Sequence, residues 1–182
     1  IKPCKDNTDL CLDDTLRIRE SDDGTVEVRS LSTDFVSPWW HGQLGKNEVT
    51  GLPQLILTLI EGNDEKILTY DVIKKDTQGN SILGLTSLRR TNGEGTQRFY
   101  WNYNVFGQVI SVVSGIENAS EEFDLVSSWA LYHQPMDDAP QPLLDFVIRY
   151  DNQDFNGGID MQASEHYRFQ YTQHEGHQHQ LH

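Results

Sequence analysis

Short apolar runs, each closed by turn-forming residues, recur along this chain at intervals of about ten residues. The gaps hold sequences such as Gln78-Gly79-Asn80 and Asn92-Gly93, whose residues tolerate positive φ or hydrogen-bond their own backbone. No long apolar stripe at helical spacing is present, whereas residues 25–29 alternate with the period of a half-buried strand. The pattern predicts an all-β protein, an antiparallel β-sandwich or jelly roll. The further apolar runs are residues 55–60, 67–73, 82–85, 99–106, 109–113, 125–131, 143–150 and 166–171.

The length of 182 residues predicts a single β-sandwich domain over residues 1–172. Residues 1–24 form an acidic N-terminal segment in which Cys4 and Cys11 are spaced for one small disulfide loop. Residues 173–182 form a tail rich in His and Gln, typical either of metal chelation or of a purification tag. No apolar run is long enough to span a bilayer, and the chain opens on Ile1 without a leader. We therefore expect a mature secreted chain, which the sequon Asn118-Ala119-Ser120 also fits.

The charge of the chain is strongly negative, with 14 basic and 28 acidic residues and a net charge of −14. Such a balance argues against nucleic acid and membrane surfaces as partners, because both are anionic. Residues 85–108 are the exception, since they hold three arginines and one glutamate. This strip predicts either a binding place for an acidic ligand or a solvated strand edge protected against aggregation.

Residues 98–106 predict an aromatic strand with two different faces. Alternation gives one face to Phe99, Trp101 and Tyr103, and the other to polar side chains mixed with Tyr100. Aromatic rings stack on sugars while amide and guanidinium groups bond their hydroxyls, so the strand suits a glycan groove, or else it packs as an ordinary amphipathic strand. Beside Pro38, one of two adjacent tryptophans is expected to be an exposed platform, an interface anchor or a lid over an apolar patch. The candidate ligand-binding residues are Trp39, Trp40, Arg98, Tyr100, Trp101, Asn102, Asn104 and Arg149.

A further stretch carries a resemblance to a known family. The strand Trp129-Ala130-Leu131-Tyr132-His133-Gln134 precedes an Asp/Pro-rich turn and a strand of the form P-L-L-x-F-x-I-R-Y at residues 142–150. With the strand around Arg89 and Arg90 and the following Arg98-Phe99-Tyr100, residues 82–151 resemble the central segment of jelly-roll polysaccharide lyases of the alginate, glucuronan and heparin type. The resemblance implies cleavage of a uronic-acid glycan by β-elimination.

That reaction needs a cation or amide on the sugar carboxylate, a base for the C5 proton and an acid for the leaving oxygen. By resemblance, Arg89 or Arg90 holds the carboxylate, and His133 is the base or carboxylate partner with Gln134 beside it. The acid is a tyrosine, Tyr167 or Tyr171. On residue type alone, His133 next to Trp129 also fits a structural histidine.

Residues 151–160 resemble a calcium loop in their spacing of oxygen donors. Asn152, Asp154, Asn156 and Gly157 fall on positions 1, 3, 5 and 6, although position 12 is Ala163. A calcium site at a sheet edge would use Asp151, Asp154, Asn156 and Asp160, against the alternative of an ordinary Asx/Gly turn.

Two functions from different classes follow. The first is an extracellular jelly-roll protein that binds or cleaves a polysaccharide, with calcium as its one expected cofactor. The second is a non-catalytic structural subunit that forms a homo-oligomer or polymer by exchange of its last strand, residues 166–172, with carboxylates bridged by calcium. Neither a nucleophile elbow, a zinc-protease motif nor a phosphate-binding glycine loop is present in the sequence.

Overall fold

A computed structural model of the chain is all-β, and no helix occurs among the residues that it describes. These are residues 2–3, 10–11, 16–20, 25–30, 40–118, 120, 122–136, 139–153, 159–172 and 180–181. A membrane-spanning helix is likewise not found in this described part of the chain. The prediction of an all-β, antiparallel fold is therefore confirmed.

The described strands up to residue 168 are antiparallel, and their order in the sheet follows their order along the chain. Two compact units can be distinguished, residues 1–98 and residues 99–182. We call them the N-terminal unit and the C-terminal unit and describe each by itself.

The N-terminal unit is built from consecutive antiparallel hairpins. Its longest strands, β7 (Asp64–Lys75) and β8 (Ser81–Asn92), have 12 residues each and are joined by a turn that contains the predicted Gln78-Gly79-Asn80. The Asp76 carboxylate accepts hydrogen bonds from the backbone of Gln78 and Asn80, while Gly79 has a φ of 87°. The strands are β1 Lys2–Pro3, β2 Leu10–Cys11, β3 Leu16–Glu20, β4 Thr25–Ser30, β5 Trp40–Lys46, β6 Pro53–Glu61, β7 Asp64–Lys75, β8 Ser81–Asn92 and the start of β9 Gly95–Tyr103.

The core of the N-terminal unit lies on one face of β6. Leu55, Leu57 and Leu59 alternate along the strand and are only 1–4% exposed, and they are the buried apolar side chains of the described residues. Leu57 pairs with Leu68 of β7, and paired residues of antiparallel strands share a face. The other face of β6 is more open, with Ile60 65% exposed.

The C-terminal unit is a ladder of long antiparallel strands. β10 pairs with β11, β11 with β12 and β12 with β13, while β14 and β15 form a separate two-stranded sheet. The predicted last strand at residues 166–172 is thus divided: β13 ends at Arg168, and Tyr171 begins β14. The strands are β10 Val109–Glu117, β11 Phe123–Gln134, β12 Leu143–Asn152, β13 Met161–Arg168, β14 Tyr171–Thr172 and β15 Gln180–Leu181.

Three irregularities in register shape the C-terminal unit, after Ser114, after Tyr132 and after Arg149. Such bulges bend a strand and re-aim the side chains that follow. Between β10 and β11 the hydroxyls of Ser114 and Ser127 lie 2.8 Å apart and are buried. A buried polar pair that satisfies itself in this way fixes the alignment of the two strands.

Candidate functional site

The predicted arginine pair lies on β8 of the N-terminal unit, with its two members on opposite faces. Arg89 pairs with Ile67 and Arg90 with Lys66, so successive side chains alternate. The Arg90 guanidinium binds both carboxylate oxygens of Asp64, at 3.0 Å through Nε and 2.8 Å through Nη2. This hydrogen-bonded pairing lowers the pKa of Asp64. The positive charge of Arg90 is therefore already paired with the carboxylate of Asp64.

His133 and Gln134 end β11 in the C-terminal unit, directly after the bulge at Tyr132. Burial lowers the pKa of His133, an effect that the Leu131 backbone opposes only in part. Its Nδ1 atom is shielded from solvent and makes no hydrogen bond of good geometry with the described residues. His133 is thus neutral at pH 7. The predicted lyase residues are divided between the two units, with the arginines in one and His133, Gln134 and Tyr167 in the other.

The predicted aromatic strand is shorter than expected, because β9 ends at Tyr103 and residues 104–108 form a turn. Asn104 organises that turn, since its side-chain oxygen accepts hydrogen bonds from the backbone of Phe106 and Gln108. Asn102 donates to the Ser111 hydroxyl at 2.8 Å. The two asparagines therefore have structural partners, and the prediction that residues 104–106 continue the strand is wrong.

Of the aromatic residues predicted there, Tyr100 packs edge-on against Phe123, with 5.5 Å between ring centroids. Phe99 and Trp101 lie 6.1 Å apart in a tilted arrangement. Arg98 belongs to the N-terminal unit. Trp40 begins β5, whereas Trp39 lies outside the described residues.

A cluster of polar and aromatic side chains crosses β11, β12 and β13. Trp129, Arg149 and Glu165 are successive partners in register, so they share one face of the sheet. The Arg149 guanidinium carbon lies 5.5 Å from the Trp129 ring centroid, a cation–π distance. Arg149 also binds Asp151 at 2.9 Å and Glu165 at 3.2 Å. We call Trp129, Arg149, Asp151, Glu165 and Tyr167 the Arg149 cluster.

Tyr167 completes the cluster by donating its phenolic hydrogen to Glu165. This hydrogen bond to a carboxylate raises the pKa of Tyr167, so the phenol stays protonated at neutral pH. The pKa of Asp151 is lowered by hydrogen bonds from the Ser164 hydroxyl and from Arg149. The cluster accordingly combines one guanidinium with two carboxylates. Between 30% and 42% of the Arg149, Asp151 and Glu165 side chains is exposed, so a ligand can reach them.

The predicted calcium residues are only partly covered by the structure, because Asp154 and Asn156 lie outside the described residues. Asp151 faces Arg149, and Asp160 accepts a 3.4 Å contact from Gln162. The buried Asn152 side chain donates a hydrogen bond to the Leu125 backbone oxygen and accepts one from the Asp160 backbone N–H. Within the described part of the chain, no three His, Cys, Asp or Glu side chains are grouped as a metal would need. The calcium site stays a prediction.

Tyr171, the other tyrosine proposed as the acid, donates its hydroxyl to the Leu144 backbone at 2.8 Å. Burial raises the pKa of Tyr171, so it is a neutral structural donor. The disulfide predicted between Cys4 and Cys11 concerns side chains outside the described part of the structure.

Two members of the Arg149 cluster, Trp129 and Glu165, are not among the predicted site residues. Alternation along β11 places Trp129 on the same face as Leu131, and this pattern could have indicated Trp129. For Glu165 there is no such signal, because residues 161–165 contain too few apolar side chains to predict a strand.

Comparison of the chain with protein family models, with curated proteins and with solved structures found no match. The chemistry of the Arg149 cluster is therefore the basis for assigning a function.

Proposed function

We propose that this chain is an extracellular polysaccharide-binding protein whose C-terminal unit contacts sugar hydroxyls through the Arg149 cluster. The observation that carries the proposal is the half-exposed arrangement in which Arg149 bridges Asp151 and Glu165 beside two aromatic residues. Planar charged groups form paired hydrogen bonds with neighbouring hydroxyls, and aromatic rings cover the C–H face of a sugar. Tyr167 is 52% exposed and supplies such a ring.

A neutral glycan fits this cluster better than a polyuronate. Arg149 already faces two carboxylates, so the cluster as a whole carries one negative charge. Residues 99–182 contain twelve acidic and two basic residues, which repel an anionic chain. Hydroxyl groups accept and donate hydrogen bonds without adding charge, so they can satisfy both the guanidinium and the carboxylates.

Binding is also better supported than cleavage. A lyase must neutralise the substrate carboxylate with a cation or amide, and the contacts of Arg90 and Arg149 commit both to protein carboxylates. Tyr167 holds its proton against Glu165, which suits a fixed hydrogen-bonding group. The β-elimination and the jelly-roll arrangement implied by the resemblance both stay predictions.

Affinity electrophoresis tests the proposal in gels containing neutral galactomannan, xylan or β-glucan. We expect at least one of them to retard the wild-type protein and Arg149→Ala to abolish that retardation. Arg168→Ala is the matched control, because Arg168 lies on the neighbouring strand, is 72% exposed and pairs with Asp145 at 3.6 Å. Free mobility of the wild type in every gel, or equal retardation of the two variants, would remove the proposal.

A direct assay separates binding from cleavage. Incubation with alginate, glucuronan and heparin, followed by absorbance near 235 nm, detects the unsaturated product of β-elimination. We expect a flat trace with all three. A rising trace that disappears in His133→Ala would instead establish the lyase.

A second candidate function, the self-assembling structural subunit, is favoured by the open faces of the strands. Several apolar side chains are exposed in the described residues, among them Ile60 at 65% and Ile116 at 48%. Apolar surface of this kind is covered in an assembly. Light scattering before and after calcium, and again after a chelator, tests this function. A monodisperse monomer under all three conditions would exclude it.

A further inference from the structure

A groove of about 600 Å³ lies in the N-terminal unit, where β5 and β6 meet at their hairpin turn. Four of its strand residues share one face of the sheet, because Gln43 pairs with Ile56 and Gly45 with Gln54. The volume lies within the range of small-molecule sites in proteins. The groove is therefore large enough for a sugar unit.

The floor of the groove is open because Gly45 has no side chain. A Cβ atom built at this position would meet no atom within 4 Å. Gln43 and Gln54 lie on either side of it along the two strands, and the Ile56 side chain, 37% exposed, adds an apolar patch. The groove thus combines amide groups with a small apolar surface.

The amide of Gln54 is held in one orientation by Asp71. Gln54 Nε2 donates to Asp71 Oδ1 at 2.8 Å, and Asn47 Nδ2 donates to the same oxygen at 2.9 Å. The Thr86 hydroxyl donates to the other oxygen at 2.5 Å. Besides the N–H bound to Asp71, the amide of Gln54 carries a second N–H donor and a carbonyl acceptor. A fixed donor and acceptor of this kind match two neighbouring hydroxyls of a sugar ring.

The residues that line the groove have no net charge, because the charges of Lys46 and Glu48 are opposite in sign. We infer that this groove binds a neutral sugar unit, with Gln43 and Gln54 bonding its hydroxyls and Ile56 contacting its apolar face. The inference rests on the proposed function, because it adds a second sugar site to a polysaccharide-binding protein. Asp71 is a positioning residue here, acting through Gln54.

Nuclear magnetic resonance on the full chain tests the groove separately from the Arg149 cluster. Neutral hexasaccharides of β-linked glucose, mannose and xylose serve as probes. The side-chain amide signals of Gln43 and Gln54, assigned by their loss in Gln43→Ala and Gln54→Ala, report the groove. The indole signal of Trp129, assigned by its loss in Trp129→Phe, reports the Arg149 cluster. We expect at least one probe to shift both amide signals.

Variants then measure what the groove contributes. Gly45→Leu fills the groove without removing a polar group, and no positive φ opposes a side chain there. We expect Gly45→Leu and Gln54→Ala each to weaken binding at the groove at least fivefold. Gln97→Ala is the control, because Gln97 is an exposed glutamine of the same unit. A folded Gly45→Leu protein whose affinity at the amide signals is unchanged would overturn the inference.

The remaining outcomes separate the two proposals. A shift of the Trp129 indole alone overturns the groove and leaves the proposed function standing. Shifts of the Gln43 and Gln54 amides alone support the groove and overturn the assignment of the Arg149 cluster. If no signal shifts with any probe at millimolar concentration, both proposals fail.

Discussion

Among the described residues, neutral side chains hold the carboxylate of Asp71, which distinguishes it from the ion-paired Asp64 and Asp151. Burial by itself would raise the pKa of Asp71, yet hydrogen bonds from Thr86, Asn47 and Gln54 outweigh that effect and lower it. A carboxylate with a lowered pKa stabilises the folded state above the pKa of the unfolded chain, near 3.8. That contribution is lost as the pH falls through the folded value.

Asp71→Asn removes this titration and is expected to flatten the fall in stability below pH 4. The measurement is the free energy of unfolding in urea at a series of pH values from 7 to 2. Thr86→Val removes one of the hydrogen bonds and should give an intermediate slope. Identical slopes in wild type and Asp71→Asn would show that the amide and hydroxyl donors do not hold the ionised carboxylate.

Gly115 is a second residue whose environment gives a sharp expectation. A Cβ atom there would lie 2.4 Å from the Asp124 backbone oxygen and 2.5 Å from the Phe123 ring. Neither can move freely, because the backbone of Asp124 belongs to β11 and Phe123 packs on Tyr100.

We expect Gly115→Ala to lower the free energy of unfolding by about 1–3 kcal/mol, the usual cost of overpacking. Gly45→Ala, with no atom within 4 Å of its new Cβ, is the control and should change stability little. Urea unfolding monitored by circular dichroism measures both. A Gly115→Ala variant as stable as Gly45→Ala would contradict the tight approach of β10 to β11.

At the scale of the strand, β6 shows how alternation divides a sheet into a covered and an open face. Leu57 is 2% exposed, whereas Ile60 on the opposite face is 65% exposed. Leu57→Ala should cost about 2–5 kcal/mol in the free energy of unfolding, because it leaves a cavity. Ile60→Ala should stay within about 0.5 kcal/mol of the wild type. Chemical denaturation distinguishes these outcomes, and similar losses in both variants would mean that Ile60 is covered by a partner.

The short apolar runs predicted which segments are strands, since residues 55–60, for example, lie within β6. The turn at Gln78-Gly79-Asn80 was predicted as well, because such residues need no long-range contact to form a turn. The pairing register between strands, in contrast, could not be predicted from the sequence. The pairing of Trp129 with Arg149 depends on the bulge after Tyr132, and a shift of one residue moves every later side chain to the other face.

The position of Glu165 in the Arg149 cluster could not be predicted from the sequence either. Glu165 lies in a segment of β13 whose ladder to β12 forms without an apolar pattern, so sequence alone starts the strand too late. Arg149, in contrast, was predicted as a ligand-binding residue and Tyr167 from a resemblance, and the structure connects both to Glu165. Individual residues were thus predictable, while the side chain that links them was not.

At the scale of the whole molecule, the net charge of −14 decides how salt should act on each class of ligand. The Debye length shortens from about 30 Å at 0.01 M salt to about 8 Å at 0.15 M, so repulsion between the protein and a polyanion is screened over this range. Hydrogen bonds to uncharged hydroxyls are not affected in this way.

We expect the affinity for a neutral polysaccharide to change less than about twofold between 0.01 M and 0.15 M salt, because no counterions are released on binding. Any affinity for alginate or heparin should rise with salt, since screening removes the repulsion from the twelve acidic residues of positions 99–182. Affinity electrophoresis or isothermal titration at both salt concentrations measures the two trends, and Arg149→Ala should remove the first. If heparin instead binds more tightly at low salt, the three arginines of residues 85–108 would form the dominant binding surface. The acidic ligand expected for that strip would then replace the neutral glycan.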